Sequence, residues 1–290
     1  MKGAKGTKMP RGDKVQMLEF AIPKIDPKQQ TKIAAVLSAL DAKIDCNNRI
    51  NAELEAMAKT LYDYWFVQFD FPDANGKPYK SSGGKMVYNA TLKREIPAEW
   101  RDGLASDLFD FNPSLSLPLS TEASYIDMAA LPVTGFMTEA PERKAFSGGM
   151  KFQNGDVVVA RITPCLENGK TALISLLKND EIGFGSTEFI VMRGKRMTLS
   201  AFASQLSRST SFRQFAISNM TGTSGRKRID ANTLETFSLP LPPEGIMLKY
   251  EKRVGAFFAR MTINAKENQQ LAQLRDWLLP LLMNGQVTVA

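Results

Sequence analysis

The densest group of residues that could do chemistry is TGTSGRKRID, residues 221–230. Thr223, Ser224, Arg226, Lys227 and Arg228 pack small hydroxyls and clustered cations together. That set suits contacts to phosphate, and arginine also matches the edge of guanine. A sparser group runs from Arg161 and Thr163 to Lys170 within GDVVVARITPCLENGK (155–170). The same stretch holds Asp156, Glu167 and Lys170, residue types that a metal-dependent nuclease uses. Such a nuclease needs its acid and lysine two apart on one strand face. Here Glu167 and Lys170 are three apart across Asn168-Gly169, which reads as a turn.

Other motifs carry less. FNPSL (111–115) begins like the Asn-Pro-Pro-aromatic motif of adenine methyltransferases, but the second proline and the aromatic are missing, so a flipped base would have nothing to stack on. GFGSTEF (183–189) contains Gly-x-Gly without a following Gly-Lys-Ser/Thr and reads as a tight turn into a strand. There is no histidine, which removes the commonest general base and metal ligand. No catalytic residue and no metal ligand is expected.

The chain has 290 residues, 43% hydrophobic and 23% charged, enough for about two domains. Its net charge of +7 is compatible with a polyanionic partner. Two cysteines, Cys46 and Cys165, are too few for a disulfide framework and suit a reducing cytoplasm. No apolar run reaches the roughly 18 residues of a membrane span, and the basic N-terminus lacks the apolar stretch of a signal peptide. A cytoplasmic protein without a membrane partner is expected.

The elements that must hold these loops are written in a repeat. Ile33, Leu37, Leu40, Ile44, Asn47, Asn51, Leu54, Ala58, Leu61 and Trp65 step by four and three without a break, the seam of a coiled coil. Adding 217 to each number gives Tyr250, Val254, Phe257, Met261, Asn264, Asn268, Leu271, Arg275, Leu278 and Leu282. Both asparagines recur in register. Upstream, Phe20 and Pro23 map onto Phe237 and Pro240, and Lys5, Lys8, Arg11 and Lys14 lie in a copy of the 221–230 cluster. The repeated unit is a turn, a short extended segment, a proline-rich corner and a long helix. Each helix would span roughly 50 Å at about 1.5 Å per residue. Asn47, Asn51, Asn264 and Asn268 are expected to hydrogen-bond across a pair of helices and fix their register. The alternative is two helices that pack separately, with solvated asparagines.

Between the helices, FDFPDANGKPYKSSGGK (69–85) reads as a linker or flexible loop. From about Met86 to Pro243, short apolar runs alternate with turns: GDVVVARIT (155–163), TALISLL (171–177) and STEFIVMR (186–193) predict strands, and Ser200–Met220 predicts a helical stretch.

In this order, IPAEW (96–100), GDVVVARITPCLENGK, GFGSTEFIVMR (183–193), TGTSGRKRID and LPLPP (239–243), followed by the long helix, resemble the DNA specificity subunit of type I restriction-modification systems. The resemblance covers almost the whole chain. It implies an α+β fold: a globular target-recognition domain flanked by two long helices that pair as an antiparallel coiled coil. Such subunits usually carry two recognition domains, whereas here residues 1–22 match only the tail of a first one. Residues 23–80 form the first long helix and linker, 81–243 the recognition domain, and 244–290 the second helix. This is the plan of a half-size subunit with one recognition domain.

The resemblance further implies double-stranded DNA as ligand. It implies methyltransferase subunits docked on the helices, a restriction-translocase subunit reached through the complex, and a homodimer that restores a second half-site. No cofactor of its own is implied; S-adenosylmethionine, ATP and magnesium belong to the partners. Arg161, Thr163, Lys170, Thr223, Ser224, Arg226, Lys227 and Arg228 are the expected DNA contacts. The rival readings are a coiled-coil adaptor that binds only proteins and a stand-alone modification enzyme.

Overall fold

An Asp-Pro pair starts the first long helix. In the computed structural model, which describes residues 4–5, 11–12, 14–19, 24–196, 198–223 and 225–289, helix α1 runs Pro27–Tyr62. Pro27 sits in the first turn, where its missing N–H breaks no helical bond. Asp26 accepts from Lys28 N at 3.0 Å and Gln30 Nε2 donates to Ile25 O at 2.8 Å, so groups of the first turn are partnered. The other helices of eight residues or more are α2 (Ser200–Arg208), α3 (Thr210–Ser218) and α4 (Glu244–Met283).

The chain divides into two compact units. The first holds 1–45 and 270–290. Its described parts include the start of α1, the end of α4, and a short strand pair, Ala4–Lys5 with Arg11–Gly12. Arg275 Nη1 donates to Asp41 Oδ1 at 2.9 Å, and Ile33 and Leu282 are buried. The expected remnant at 1–22 lies largely outside the described residues, including Lys8, Phe20 and the side chains of Lys5 and Arg11; Pro23 lies outside them too.

The second unit, Cys46–Gln269, contains the expected recognition domain and parts of both long helices. Its strands are β1 (Met86–Asn89), β2 (Arg94–Pro97), β3 (Arg101–Leu104), β4 (Phe109–Phe111), β5 (Glu122–Ile126), β6 (Glu142–Ala145), β7 (Met150–Phe152), β8 (Val157–Ala160), β9 (Thr171–Leu173), β10 (Gly183–Gly185), β11 (Phe189–Gly194) and β12 (Ser238–Leu241). One antiparallel sheet has the order β9-β8-β11-β4; a second has β6-β5-β10-β7, in which β5 and β10 are parallel. β1 pairs with β2, and β3 with β12. All four residues of β8 are buried, so the unbroken apolar run Val157–Ala160 is a strand covered on both faces rather than an alternating one. Asp156, at its start, is 1% exposed and takes both Nε and Nη2 of Arg193 at 2.7 Å. Its carboxylate is committed to structure. Asn112, from the FNPSL motif, has φ +51 and exchanges two hydrogen bonds with Val191, which ties β4 to β11.

Two expectations need correcting. The predicted helix over 200–220 breaks at Ser209, whose extended backbone (φ −61, ψ 145) ends α2, while its Oγ accepts from Phe212 N to cap α3. The predicted flexible segment after the first helix is packed. Phe69 and Phe71 are buried, Phe71 stacks on Tyr79 and Trp100, and Asp70 accepts from Ser81 N and Oγ at 2.7 and 2.6 Å. Gly, Pro and Ser mark turns there, and the aromatics between them supply the anchor.

The start of α2 has no side-chain cap of its own. Glu251 on α4 supplies one, accepting from Phe202 N at 2.7 Å and Ala201 N at 3.2 Å. Burial pushes its carboxyl up to about 7 from an ordinary 4.5, against the pull of those two N–H groups. A folded-state value above the unfolded one means that the protonated form stabilises the fold. That contribution is complete below 4.5 and is lost as pH rises through 7. Urea unfolding at pH 5 and pH 8 is expected to show a loss on the order of 3 kcal/mol in the wild type. Glu251→Gln, which keeps an acceptor for Phe202 N, should flatten that dependence; an unchanged pH slope would remove Glu251 from this role.

Candidate nucleic-acid interface

The two basic loops, separated by some fifty residues of sequence, form one edge. Thr221 and Arg228 exchange backbone hydrogen bonds at 2.9 and 2.8 Å, closing the second loop as a hairpin turned by Arg226 N to Thr223 O at 3.0 Å. Gly222 has φ +127, and a Cβ there would lie 2.8 Å from the Arg226 carbonyl oxygen, so only glycine fits. The first loop then docks on the second. Thr163 N donates to Lys227 O, and Ile229 N to Arg161 O, each at 3.0 Å. Its far side is a tight turn: Asn168 N donates to Pro164 O, Lys170 N to Cys165 O, and Gly169 has φ +75.

Within this edge the candidate side chains separate by what already holds them. Arg228 grips Glu188, its Nε 2.9 Å and its Nη2 2.6 Å from the carboxylate. That bond holds the Glu188 carboxyl below the usual carboxylate range. Lys170 Nζ donates to Met128 O at 2.7 Å, and Arg161 lies half-buried with Nη2 3.8 Å from Asp230 Oδ2. Thr163 is half-buried beside Met220. Thr223, Arg226 and Lys227 are exposed and have no side-chain partner among the described residues. Ser224 lies outside the described residues.

Thus Arg161, Lys170 and Arg228 brace the edge, while Arg226 and Lys227 present uncompensated charge to solvent. Sequence reasoning missed two braces. Glu188 sits in the turn before β11, and Arg213, on α3, donates through Nη2 to the Glu167 carbonyl oxygen while packing 3.3 Å from where a Gly169 Cβ would be. Glu188 falls in GFGSTEF, which reads only as a turn into a strand, and Arg213 lies in no motif; the folded arrangement alone brings them to the loops.

The seam asparagines also meet in pairs. Asn47 Nδ2 donates to Asn268 Oδ1 at 2.9 Å and to Glu267 Oε2 at 2.8 Å. Asn264 Nδ2 donates to Asn51 Oδ1 at 2.8 Å, and Asn268 Nδ2 to Asn48 Oδ1 at 2.9 Å. Asn47 and Asn264 are fully buried. Partner numbers fall on α4 as they rise on α1, the order of antiparallel neighbours. Asn48 and Glu267 complete this network outside the heptad seam.

No family model matches the chain. Over 192 residues, 62% of this chain and 31% of the relative, it is 30% identical to the type I restriction enzyme EcoAI specificity subunit of Escherichia coli. Over 291 residues, 93% of this chain and 61% of the relative, it is 24% identical to the MjaIX specificity subunit of Methanocaldococcus jannaschii. Over most of its length the chain is similar to specificity subunits of type I restriction enzymes. The S subunit of a type I restriction-modification system from M. genitalium shares its fold, with a TM-score of 0.54 at 14% identity over 97% of this chain and 67% of that one. The chain spans 31% and 61% of the lengths of these two curated relatives.

Buried asparagine on a seam stabilises less than leucine would but restricts which neighbour and which register a helix accepts. Changing Asn47 and Asn264 together to Leu is expected to raise the melting temperature while broadening the size distribution on gel filtration. A variant that melts markedly lower and elutes as one sharp species would contradict this.

Proposed function

We propose that this chain reads double-stranded DNA for a type I restriction-modification complex and has no catalytic role of its own. The carrying observation is the single edge built from Arg161–Lys170 and Thr221–Arg228, where paired residues fix the backbone and Arg226 and Lys227 face solvent. Exposed cations on a braced loop can approach phosphate without first breaking internal ion pairs. Arg228, bidentate to Glu188, and Lys170, tied to Met128, act as positioning residues for Thr223, Arg226 and Lys227. The recognition domain of 81–243 serves one half of a bipartite site. α1 and α4 pair as an antiparallel coiled coil, set the gap between half-sites and dock methyltransferase subunits, which bring S-adenosylmethionine and the link to a restriction-translocase subunit. The asparagine ladder supports the pairing.

The internal repeat supports a homodimer. Tyr62 and Phe66, at the end of the first repeat, are 6% and 5% exposed. Their counterparts 217 residues on, Leu279 and Met283, are 45% and 51% exposed, with Trp277 beside them at 62%. Apolar residues that the first copy of the unit buries and the second leaves bare are a surface for a second copy of this chain. Two copies related by a twofold axis present two identical recognition domains in inverted orientation.

Replacing Arg226 and Lys227 with Ala should weaken binding to a mixed-sequence duplex and lower the slope of log affinity against log salt by about 0.9 for each phosphate no longer engaged, with the melting temperature unchanged. An unchanged affinity and slope would favour the protein-only adaptor. Equilibrium sedimentation at micromolar concentration should give a dimer for the wild type and a monomer for Trp277→Glu. Monomeric wild type, with and without methyltransferase subunits, would exclude the dimer.

A further inference from the structure

The second unit holds an open cavity of about 1090 Å³ that neither basic loop lines. It lies at the start of α3, with Thr210, Ser211 and Gln214 on its exposed lip and Phe66, Phe202 and Phe237 among its apolar walls. The first turn of a helix carries unbonded N–H groups and the positive end of the helix dipole, a ready site for an anion. Here Ser209 caps one of those groups, that of Phe212, at 3.3 Å.

A second, independent feature asks for the same ligand. Gln205 lines the cavity, is 5% exposed, and its Nε2 has no acceptor among the described residues. The Nε groups of Arg208 and Arg213, also in the lining, lack one as well. A buried donor without an acceptor is destabilising to keep. The carboxylates of the lining do not accept from these donors. Glu55 is engaged by Arg208 Nη1 at 3.1 Å and Asp63 by Lys59. Lys59, Arg94, Arg208 and Arg213 against Glu55 and Asp63 leave the cavity net positive.

We infer that the N-terminus of α3 seats a backbone phosphate of duplex DNA, with Gln205 and Arg213 as its side-chain donors. This rests on the DNA-reading proposal. The link to DNA is Arg213: it lines the cavity and donates to the Glu167 carbonyl oxygen, within the loop that forms half of the candidate interface. A phosphate here would fix the register of the strand while Arg226 and Lys227 engage it along the braced edge.

The test uses the full chain and two variants. Ser211→Glu places a carboxylate in the first turn of α3, where it favours the helix dipole and so keeps the fold while repelling phosphate. Gln205→Leu removes the unpartnered donor at similar volume. Both should keep or raise the melting temperature, and Ser211→Glu should bind a mixed-sequence duplex about ten-fold more weakly, with a salt slope lower by about 0.9. Gln205→Leu should also weaken binding. Wild-type affinity and slope in both variants would overturn the phosphate seat while leaving the DNA-reading proposal intact. Absence of any salt-dependent duplex binding by the wild type would overturn that proposal itself. An added arm titrates inorganic phosphate at constant ionic strength. A melting-temperature rise in the wild type and none in Ser211→Glu, with duplex affinity unaffected, would assign the site to free phosphate and overturn the DNA source.

Discussion

Phe66 lies where the end of the first long helix meets the rest of the second unit. Its ring centroid is 4.8 Å from those of both Phe202 and Tyr250 and 6.0 Å from that of Trp100. Tyr62 and Trp65 add contacts to Phe202 and Tyr250 at 5.6 Å. Four separate parts of the chain, α1, α2, α4 and the corner before β3, therefore share one aromatic cluster. Edge-on aromatic pairs and their buried area contribute several kcal/mol each. α1 closes on a π-type turn at Asp63–Val67, from Gln68 N to Asp63 O at 2.8 Å, and Trp65 and Phe66 are both buried within it. Arg208 adds a polar tie: from α2 it reaches Glu55 on α1, Pro132 O and Thr171 O, with its guanidinium 4.1 Å over the ring of Phe136. This cluster holds the end of α1 against α2 and α4.

Electrostatics then divides labour among the cations. Arg193, Arg208 and Arg228 are ion-paired with Asp156, Glu55 and Glu188, and these pairs fix strands and loops. A charge so committed contributes little to a distant polyanion, because binding it would mean breaking an internal bond. Arg226 and Lys227 have no such commitment among the described residues. Among those residues no cluster of three or more Cys, Asp or Glu could hold a metal, and no helix is long and apolar enough to cross a membrane.

Periodicity made the long elements readable. All ten seam residues of α1 through Trp65 and their counterparts on α4 are buried or half-buried, because the four-three spacing is the spacing of a covered helix face. β8 was readable as a β-branched run bounded by turns. Ser209 was less so: it splits α2 from α3 by turning its backbone extended, and serine inside an apolar helical pattern carries no clear stop signal. Composition misjudged 69–85, since turn residues report flexibility only when nothing between them is anchored, and Phe69 and Phe71 are. At the candidate interface, residue types pick out two basic turns, and the fold brings them side by side. Which cations are free depends on Glu188, Met128 and Asp230, whose approach is a tertiary fact that no spacing encodes.

We propose that one recognition domain on a held spacer reads DNA sequence, and that a second copy reads it again in the opposite sense. Selection of bound duplexes from a random pool by the purified chain, followed by sequencing, tests this most directly. The expected outcome is enrichment of two identical, inverted half-sites separated by a fixed number of unread base pairs. A pool that emerges unenriched, or enriched only for a single unrepeated half-site, would contradict it.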